Sequence, residues 1–409
     1  MAMEREGNVI LRNGQEIMRP CSESPHFPLD LRGVTNYASG GMNPLQSEPS
    51  HPRAWAEVNL AALRRNLAAA HQHFGGELIA VVKADAYGHG LARVAKALDG
   101  HVRFLGVATV DEAQAARDAG VKNDIFLLGP SLADERMEFV RLGVTPSLSS
   151  LDEAEDFARI ACKLGKPVHA HLMVDTGMGR EGFLPEDLPA AWPKIETLEG
   201  LTVDGMATHL PSADEDARFT AEQLARFREI TSKLGGTARF PWIHASNSAG
   251  LLAHPSAGCT LARPGLLLYG VSPVADPAES LTPTMRLMAR VTLVRTLPAG
   301  HGISYGSAFV TTRKTRVATV GIGYGDGYPR SLSGNGAEVF VRGRRLPVIG
   351  RVTMDQIMVD ATHCSEVAAG DDVELFGPNI SVLEVAKCAK TIPWAVLTGI
   401  TRRVMRIYP

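Results

Sequence analysis

Apolar and polar positions follow two different rhythms along this chain, and the change of rhythm divides it. Between residues 53 and 285, short apolar runs alternate with stretches whose apolar positions recur every three to four residues. The first rhythm suits buried parallel strands and the second suits amphipathic helices. The runs "ELIAVVKA", "FLGVATV", "DIFLLG", "VTPSLSS", "VHAHLMVDTG", "LTVDGMATHL", "FPWIHASNS" and "LARPGLLLYG" read as strands, and residues 111–120, 133–143, 151–165 and 216–236 read as helices between them. Ahead of the first run, Asn59 stands where it can cap a helix whose Leu60, Leu63, Leu67 and Phe74 share one face. Eight β/α alternations in roughly 220 residues predict an α/β fold closed as a TIM-type (β/α)8 barrel. An open doubly wound sheet is the competitor, but no G-x-G-x-x-G follows the first strand.

From residue 286 to residue 409 the runs are short, alternate in polarity and are separated by Gly and Pro turns, as in "RVTLVRTLPAG", "TRVATVGIGYGDG" and "AEVFVRGRRLPVIGRV". A second, mostly antiparallel β domain is expected there, with a short helix around "SVLEVAKCAKTI". Residues 1–52 are rich in Pro, Ser, Gly and Asn without sustained periodicity, which predicts a loosely attached extension.

Composition narrows the function. With 45% hydrophobic and 21% charged residues in a chain of 409, this is the make-up of an ordinary globular protein with room for two cores. A formal net charge of -2 gives no footprint for nucleic acid or an anionic membrane, so a small-molecule partner is expected. The cysteines Cys21, Cys162, Cys259, Cys364 and Cys388 are scattered, odd in number and free of any C-x-x-C pair, which fits a reducing compartment and argues against disulfides or a zinc site. No apolar run approaches the ~20 residues of a membrane span. The N-terminus carries acids early and no apolar signal core, so a cytoplasmic location is expected and no metal.

Candidate chemistry gathers at the ends of the predicted barrel strands, where such barrels carry their sites. Lys83, Arg180, His209, Asn247, Ser248, Arg263 and Gly265 all fall there. A lysine in a partly desolvated pocket loses proton affinity and becomes a carbonyl-trapping amine, although a lone strand-end lysine can equally be one that reaches for solvent.

The neighbours of Lys83 weigh toward chemistry. "KADAYGHG" resembles the pyridoxal-phosphate lysine motif of the alanine racemase family, and the similarity continues in order through "VDTGMGREG", "ATHLPSAD", "HASNSAG", "RPGLLLYG", "ISYGSAF", "VGIGYGDGYPRSL" and "GRVTMDQIMVD". The resemblance spans residues 53–409 and implies a barrel followed by a β domain, with interconversion of L- and D-alanine to supply peptidoglycan synthesis. It implies that Lys83 holds the cofactor covalently and moves a proton on one face of the substrate. Tyr305, from the partner subunit of a head-to-tail homodimer, would be the base on the other face. A racemase needs a group on each face, since a single base tends to return the proton to the face it left.

Further roles come from the same resemblance. His209 would lie between Tyr305 and Arg263, with positive charge favouring the phenolate. Arg263 would face the pyridine nitrogen. Tyr87, Ser248 and the amides of Gly265 and Leu266 would hold the phosphate, with Asn247 and Arg402 completing the cofactor contacts. Arg180, Tyr324, Met354 and Asp355 would serve the substrate. Without the resemblance, "TMDQIMVD" reads as an ordinary strand.

Three positions depart from the family pattern. Met173 stands where the family often has a carbamylated lysine, Arg402 stands where it often has a phosphate-binding tyrosine at the substrate entrance, and Asp85 replaces the more usual asparagine. The first two bear on substrate breadth, so serine, lysine or arginine are alternative substrates to alanine. Two other readings share the architecture in whole or part: a barrel-type pyridoxal-phosphate decarboxylase, which needs no tyrosine opposite the lysine, and a non-catalytic pyridoxal-phosphate carrier, usually a barrel alone.

Overall fold

The computed structural model of the chain describes residues 52–254, 258–274 and 281–409, so the extension expected ahead of residue 53, with Cys21, falls outside the described residues but for Pro52. The first strand, β1 (Ala54–Val58), lies in the segment expected to be barrel, yet it belongs to the second domain's sheet. It pairs antiparallel with residues 285–289 and in parallel with residues 405–407. A short apolar run cannot announce which sheet will take it, because both partners lie more than 200 residues away.

The barrel strands are β2 (Glu77–Val81), β3 (Phe104–Val107), β4 (Asp124–Leu127), β5 (Val144–Thr145), β6 (Ser147–Leu148), β7 (Val168–Met173), β8 (Leu201–Ala207), β9 (Trp242–His244) and β10 (Leu261–Ala262). All pair in parallel, in the orders β10-β2-β3-β4-β5 and β6-β7-β8-β9. The fifth run is cut in two at Pro146, which has no N–H to give the ladder, though its carbonyl accepts from the amide of His171 at 3.0 Å. On the other side Thr260 N donates to Ile243 O at 2.9 Å and Arg263 N to Ser246 O at 2.8 Å, which closes the cylinder. Leu78, Ile79, Leu105, Phe126, Leu172 and Leu261 are wholly shielded from solvent, as strands covered on both faces require.

The helices start where the sequence offers acceptors. Asn59, Thr109, Ser150 and Asp216 each cap a helix by accepting a backbone N–H three residues on. The last run behaves differently from the expectation: only Leu261–Ala262 is strand, and Leu266–Tyr269 is a 3₁₀ turn. Pro264 withholds a ladder donor and Gly265 lets the chain bend.

The second domain comprises β11 (Met285–Leu297), β12 (Gly302–Ile303), β13 (Phe309–Val310), β14 (Thr315–Val320), β15 (Glu338–Val341), β16 (Arg344–Ile349), β17 (Ile357–Asp360), β18 (Asp372–Phe376) and β19 (Met405–Ile407). Its main sheet runs β14-β17-β16-β15-β18-β11-β1-β19 and is antiparallel except between β1 and β19. A register shift between Val291 and Leu293 lets β11 pair with β18 and β1 along one half and with β14 along the other, so six strands close on themselves. Besides the expected helix, found at Val382–Cys388, a second one spans Pro393–Gly399 with proline at its first position.

Candidate active site

The mouth of the barrel holds a cavity of about 440 Å³. Lys83, Tyr87, Met173, Arg180, Glu181, His209, Asn247, Ser248, Arg263, Gly265 and Leu266 line it, and Ile392 and Trp394 reach it from the second domain.

Lys83 leaves β2 into an unusual turn. Ala84, Asp85, Ala86 and Tyr87 all have φ near +53°, a single left-handed helical turn built without glycine. That conformation costs ~1–2 kcal/mol per residue and persists only where surroundings impose it. Here Glu112 accepts from Ala84 N at 2.6 Å, Asp85 Oδ1 accepts from Leu91 N at 2.8 Å, and from the far end of the chain Arg406 Nε donates to Gly88 O at 2.9 Å. Tyr408 adds a hydroxyl donated to His89 O at 3.0 Å. Asp85 therefore does by a carboxylate oxygen what an asparagine amide oxygen does equally well.

The lysine is half-buried and its Nζ makes no hydrogen bond or ion pair among the described residues. Burial first, and then the charge of Arg180, lowers its pKa, with Glu112 and Glu181 opposing. Such an amine is a better nucleophile and base near neutrality than a free lysine.

The same cavity holds a cradle for an anion. Ser248 Oγ accepts from Gly265 N at 2.9 Å and from Leu267 N at 3.3 Å, which leaves its own proton free to donate. Leu266 opens the 3₁₀ turn, so its amide has no partner within it. Tyr87 is buried, stacks on Tyr269 at 4.7 Å, and is pushed up to about 12 by burial, so it stays a neutral donor. A Cβ on Gly265 would sit 2.5 Å from the Tyr87 hydroxyl. Asn247 is spent on structure: its Oδ1 accepts from Gly250 N and its Nδ2 donates to Leu210 O.

Arg263 is buried and held without a carboxylate. Nη1 donates to His244 Nδ1 at 2.5 Å and to His244 O at 3.1 Å. Nη2 donates to Thr208 O at 2.6 Å, Ala245 O at 2.9 Å and His209 Nδ1 at 3.3 Å. Its Nε has no partner among the described residues. Burial lowers the guanidinium to about 10, still protonated at neutral pH. Burial and Arg263 together bring His209 down to about 3, so that imidazole is neutral and, with Nδ1 accepting, carries its proton on Nε2.

At Met173 the structure supplies another side chain for Arg180. The Glu181 carboxylate accepts from Arg180 Nη2 at 2.7 Å and from Nε at 3.1 Å, and it is almost wholly buried. Met173 lies buried beside them at the end of β7.

The structure does not bring the second-domain candidates to this cavity. Tyr305 is 70% exposed on the β12–β13 connection, where Ser304, Gly306 and Ser307 all have positive φ. Met354 is 51% and Tyr324 40% exposed, and Asp355 accepts from Arg403 at 2.7 Å. Tyr324 N and Gly325 N donate to Thr353 O and Met354 O, which ties these residues to one another. Arg402 is exposed and does not line the cavity. Sequence reasoning missed Glu181, Trp394 and His244; the first was visible inside "GMGREG" and the last as an inward position of "WIHAS".

A barrel mouth with an unpartnered amine, an anion cradle and a buried guanidinium defines an enzyme site for a carbonyl compound that carries a phosphate-like group. The alanine racemase N-terminal domain family matches residues 58–273, and the C-terminal domain family matches residues 284–408. An alanine racemase of Halothermothrix orenii is 38% identical over 365 residues, covering 87% of this chain and 96% of that protein. One from Desulforamulus reducens is 40% identical over 364 residues, with 87% and 98% covered. Among solved structures, alanine racemase of Clostridium difficile 630 superposes with a TM-score of 0.83 at 34% identity, covering 88% of this chain and 96% of that one. The Bartonella henselae alanine racemase, solved with covalently bound pyridoxal phosphate, gives 0.78 at 32% identity, with 88% and 100% covered. This chain belongs to the alanine racemase family, whose fold of a TIM barrel followed by a β domain it has.

Proposed function

We propose that this protein interconverts L- and D-alanine with pyridoxal 5'-phosphate, using Lys83 and the partner subunit's Tyr305 as bases on opposite faces of the substrate. The observation that carries the reading is the amine of Lys83, unpartnered among the described residues and of lowered proton affinity, lining the same cavity as the Ser248–Gly265 cradle. The residues fit the cofactor. Lys83 can take its aldehyde; Tyr87, Ser248 and the amides of Gly265 and Leu266 can hold its phosphate; the free Nε of Arg263 can donate to its ring nitrogen. When bound, pyridoxal phosphate withdraws electrons from the amino acid and so acidifies the α-hydrogen.

Lys83 Nζ, which lines the cavity, would take or return that proton on one face of the substrate. His209, neutral with its proton on Nε2, can donate to the tyrosine oxygen on the other face and favour its ionised form. Arg263 stays charged at neutral pH, so beside a pyridine nitrogen it would disfavour a second proton there and would limit how far charge drains from the substrate's α-carbon. Arg180, set by Glu181, can meet the substrate carboxylate or the cofactor's phenolic oxygen, with Tyr324, Met354 and Asp355 of the second domain completing the pocket in an assembled dimer. Leu293, Tyr305, Val310, Tyr324 and Met354 are exposed apolar side chains of the second domain, the kind of surface that a subunit interface covers. The barrel is assigned to residues 53–285, apart from the strand β1 that joins residues 286–409. Among the described residues no helix is long and apolar enough to cross a membrane. We place the work in the cytoplasm, where the product feeds peptidoglycan synthesis.

The test is the circular dichroism of L-alanine with cofactor-loaded protein. Decay to zero with total amino acid conserved is expected, faster than for L-serine, L-lysine or L-arginine; loss of amino acid would instead mark a decarboxylase. Gly265→Ala is expected to weaken pyridoxal phosphate binding at least tenfold, or about 1.4 kcal/mol, because the new Cβ meets the Tyr87 hydroxyl. Titrating cofactor-free protein by visible absorbance checks it.

A further inference from the structure

Below Arg263 the barrel core holds a pair of buried imidazoles that the proposed reaction does not use. A guanidinium only donates, so His244 Nδ1 must offer it a lone pair. The neutral ring then carries its proton on Nε2, which lies 2.8 Å from His171 Nδ1. His171 accepts there, so its own proton sits on Nε2 and faces Asp204 Oδ1 at 3.6 Å. Both of those atoms are buried and neither has a hydrogen-bond partner among the described residues, so at 3.6 Å they meet as an electrostatic contact between an N–H and a carboxylate. Asp204 Oδ2 meets His169 Nδ1 at 2.8 Å, and that ring is exposed at the end of the barrel away from the cavity mouth.

The series of donors thus runs one way, from Arg263 through His244 to His171, and leaves the His171 Nε2–H facing the Asp204 carboxylate. Its fit is built into the strands. A Cβ on Gly205 of β8 would lie 2.3 Å from His171 Cδ2, so only glycine lets the ring rest against that backbone. Phe104 and Phe126 wall the ring in at centroid distances of 5.6 Å and 4.9 Å. Burial and the charge of Arg263 keep both imidazoles neutral, with His171 brought down to about 3.

We propose that His171 and Asp204 are positioning residues for Arg263: the Asp204 carboxylate, facing the His171 Nε2–H, stabilises the tautomers that Arg263 requires of His171 and His244, and the guanidinium is thereby held with Nη2 on His209. The inference rests on the assignment of Arg263 to the cofactor ring. A lone buried histidine pair serving only packing would not need the terminal carboxylate.

The test uses holoenzyme labelled with ¹⁵N-histidine, together with Asp204→Ala and Asp204→Asn. In the unsubstituted protein His171, His244 and His209 are expected in the Nε2-protonated neutral form. Asp204→Ala is expected to shift the His171 signal toward the other tautomer and to lower kcat for alanine about tenfold, the lower end of what removing an orienting partner costs, with KM within about twofold. Asp204→Asn is expected to restore most of kcat, because its amide oxygen still presents partial negative charge to the His171 N–H. A proton on Nδ1 of His171 or His244 in the unsubstituted protein would overturn the proposal. So would an Asp204→Ala enzyme with unchanged kcat and spectrum, or an equal loss in both variants without a tautomer change. Unsubstituted holoenzyme that fails to racemise alanine would instead strike the proposed activity, and the tautomers would still be read.

Discussion

Tyr305→Phe is expected to lower alanine racemisation about 10³-fold, within the range that a positioned acid–base group contributes, while leaving cofactor binding intact. The variant keeps Lys83, so in deuterium oxide it should still exchange the α-hydrogen of one enantiomer, with retention, and leave the other untouched. Proton NMR of each enantiomer reads this directly. Because Tyr305 is 70% exposed and does not line its own chain's cavity, a second outcome follows. Mixing Tyr305→Phe with Lys83→Ala protein under conditions that exchange subunits should restore about a quarter of full activity, since half of the dimers are mixed and each has one intact site. Two inactive variants that stay inactive after mixing would show that the tyrosine acts within its own subunit or not at all.

The second large effect is at Lys83. Lys83→Ala should lose at least about 10⁴-fold in racemisation, because both the covalent hold on the cofactor and one of the two bases disappear. The variant is expected to release its cofactor on dialysis, where the unsubstituted protein retains it, and absorbance after gel filtration separates the two. The fold should survive, since the amine makes no hydrogen bond or ion pair among the described residues. Retained activity would move the chemistry elsewhere in the cavity.

Much of this architecture was legible because each barrel strand carries its own signal: an apolar run ended by a turn, with a capping residue ahead of the next helix. What escaped was non-local. Strand β1 joins a sheet whose other members lie more than 200 residues on, and no pattern within Ala54–Val58 encodes that choice. The left-handed turn at Ala84–Tyr87 escaped for another reason. Sequence rules look to glycine for positive φ, whereas this turn is held by Glu112, Arg406 and Tyr408 from outside it. The helix Pro393–Gly399, which brings Trp394 to the cavity, was hidden by its brevity. At the site, residues on strand ends could be foreseen as neighbours because a barrel gathers its strand ends. Glu181 was overlooked since a carboxylate beside an arginine in sequence reads as a solvated pair, yet it proves buried. Tyr305, Tyr324, Met354 and Asp355 lie in the second domain, and one chain alone offers them only to solvent or to surface partners.

The clamp that Arg406 and Tyr408 place on the turn after Lys83 has a consequence for biosynthesis. The ribosome delivers the lysine early, but the residues that lock its turn are made more than 300 positions later. At ~5–20 residues per second, synthesis takes tens of seconds to pass from the lysine to those residues, and until then only Glu112 and the turn's own Asp85 hold its left-handed geometry. The full set of contacts on that turn is thereby expected only once residues 406 and 408 have been made.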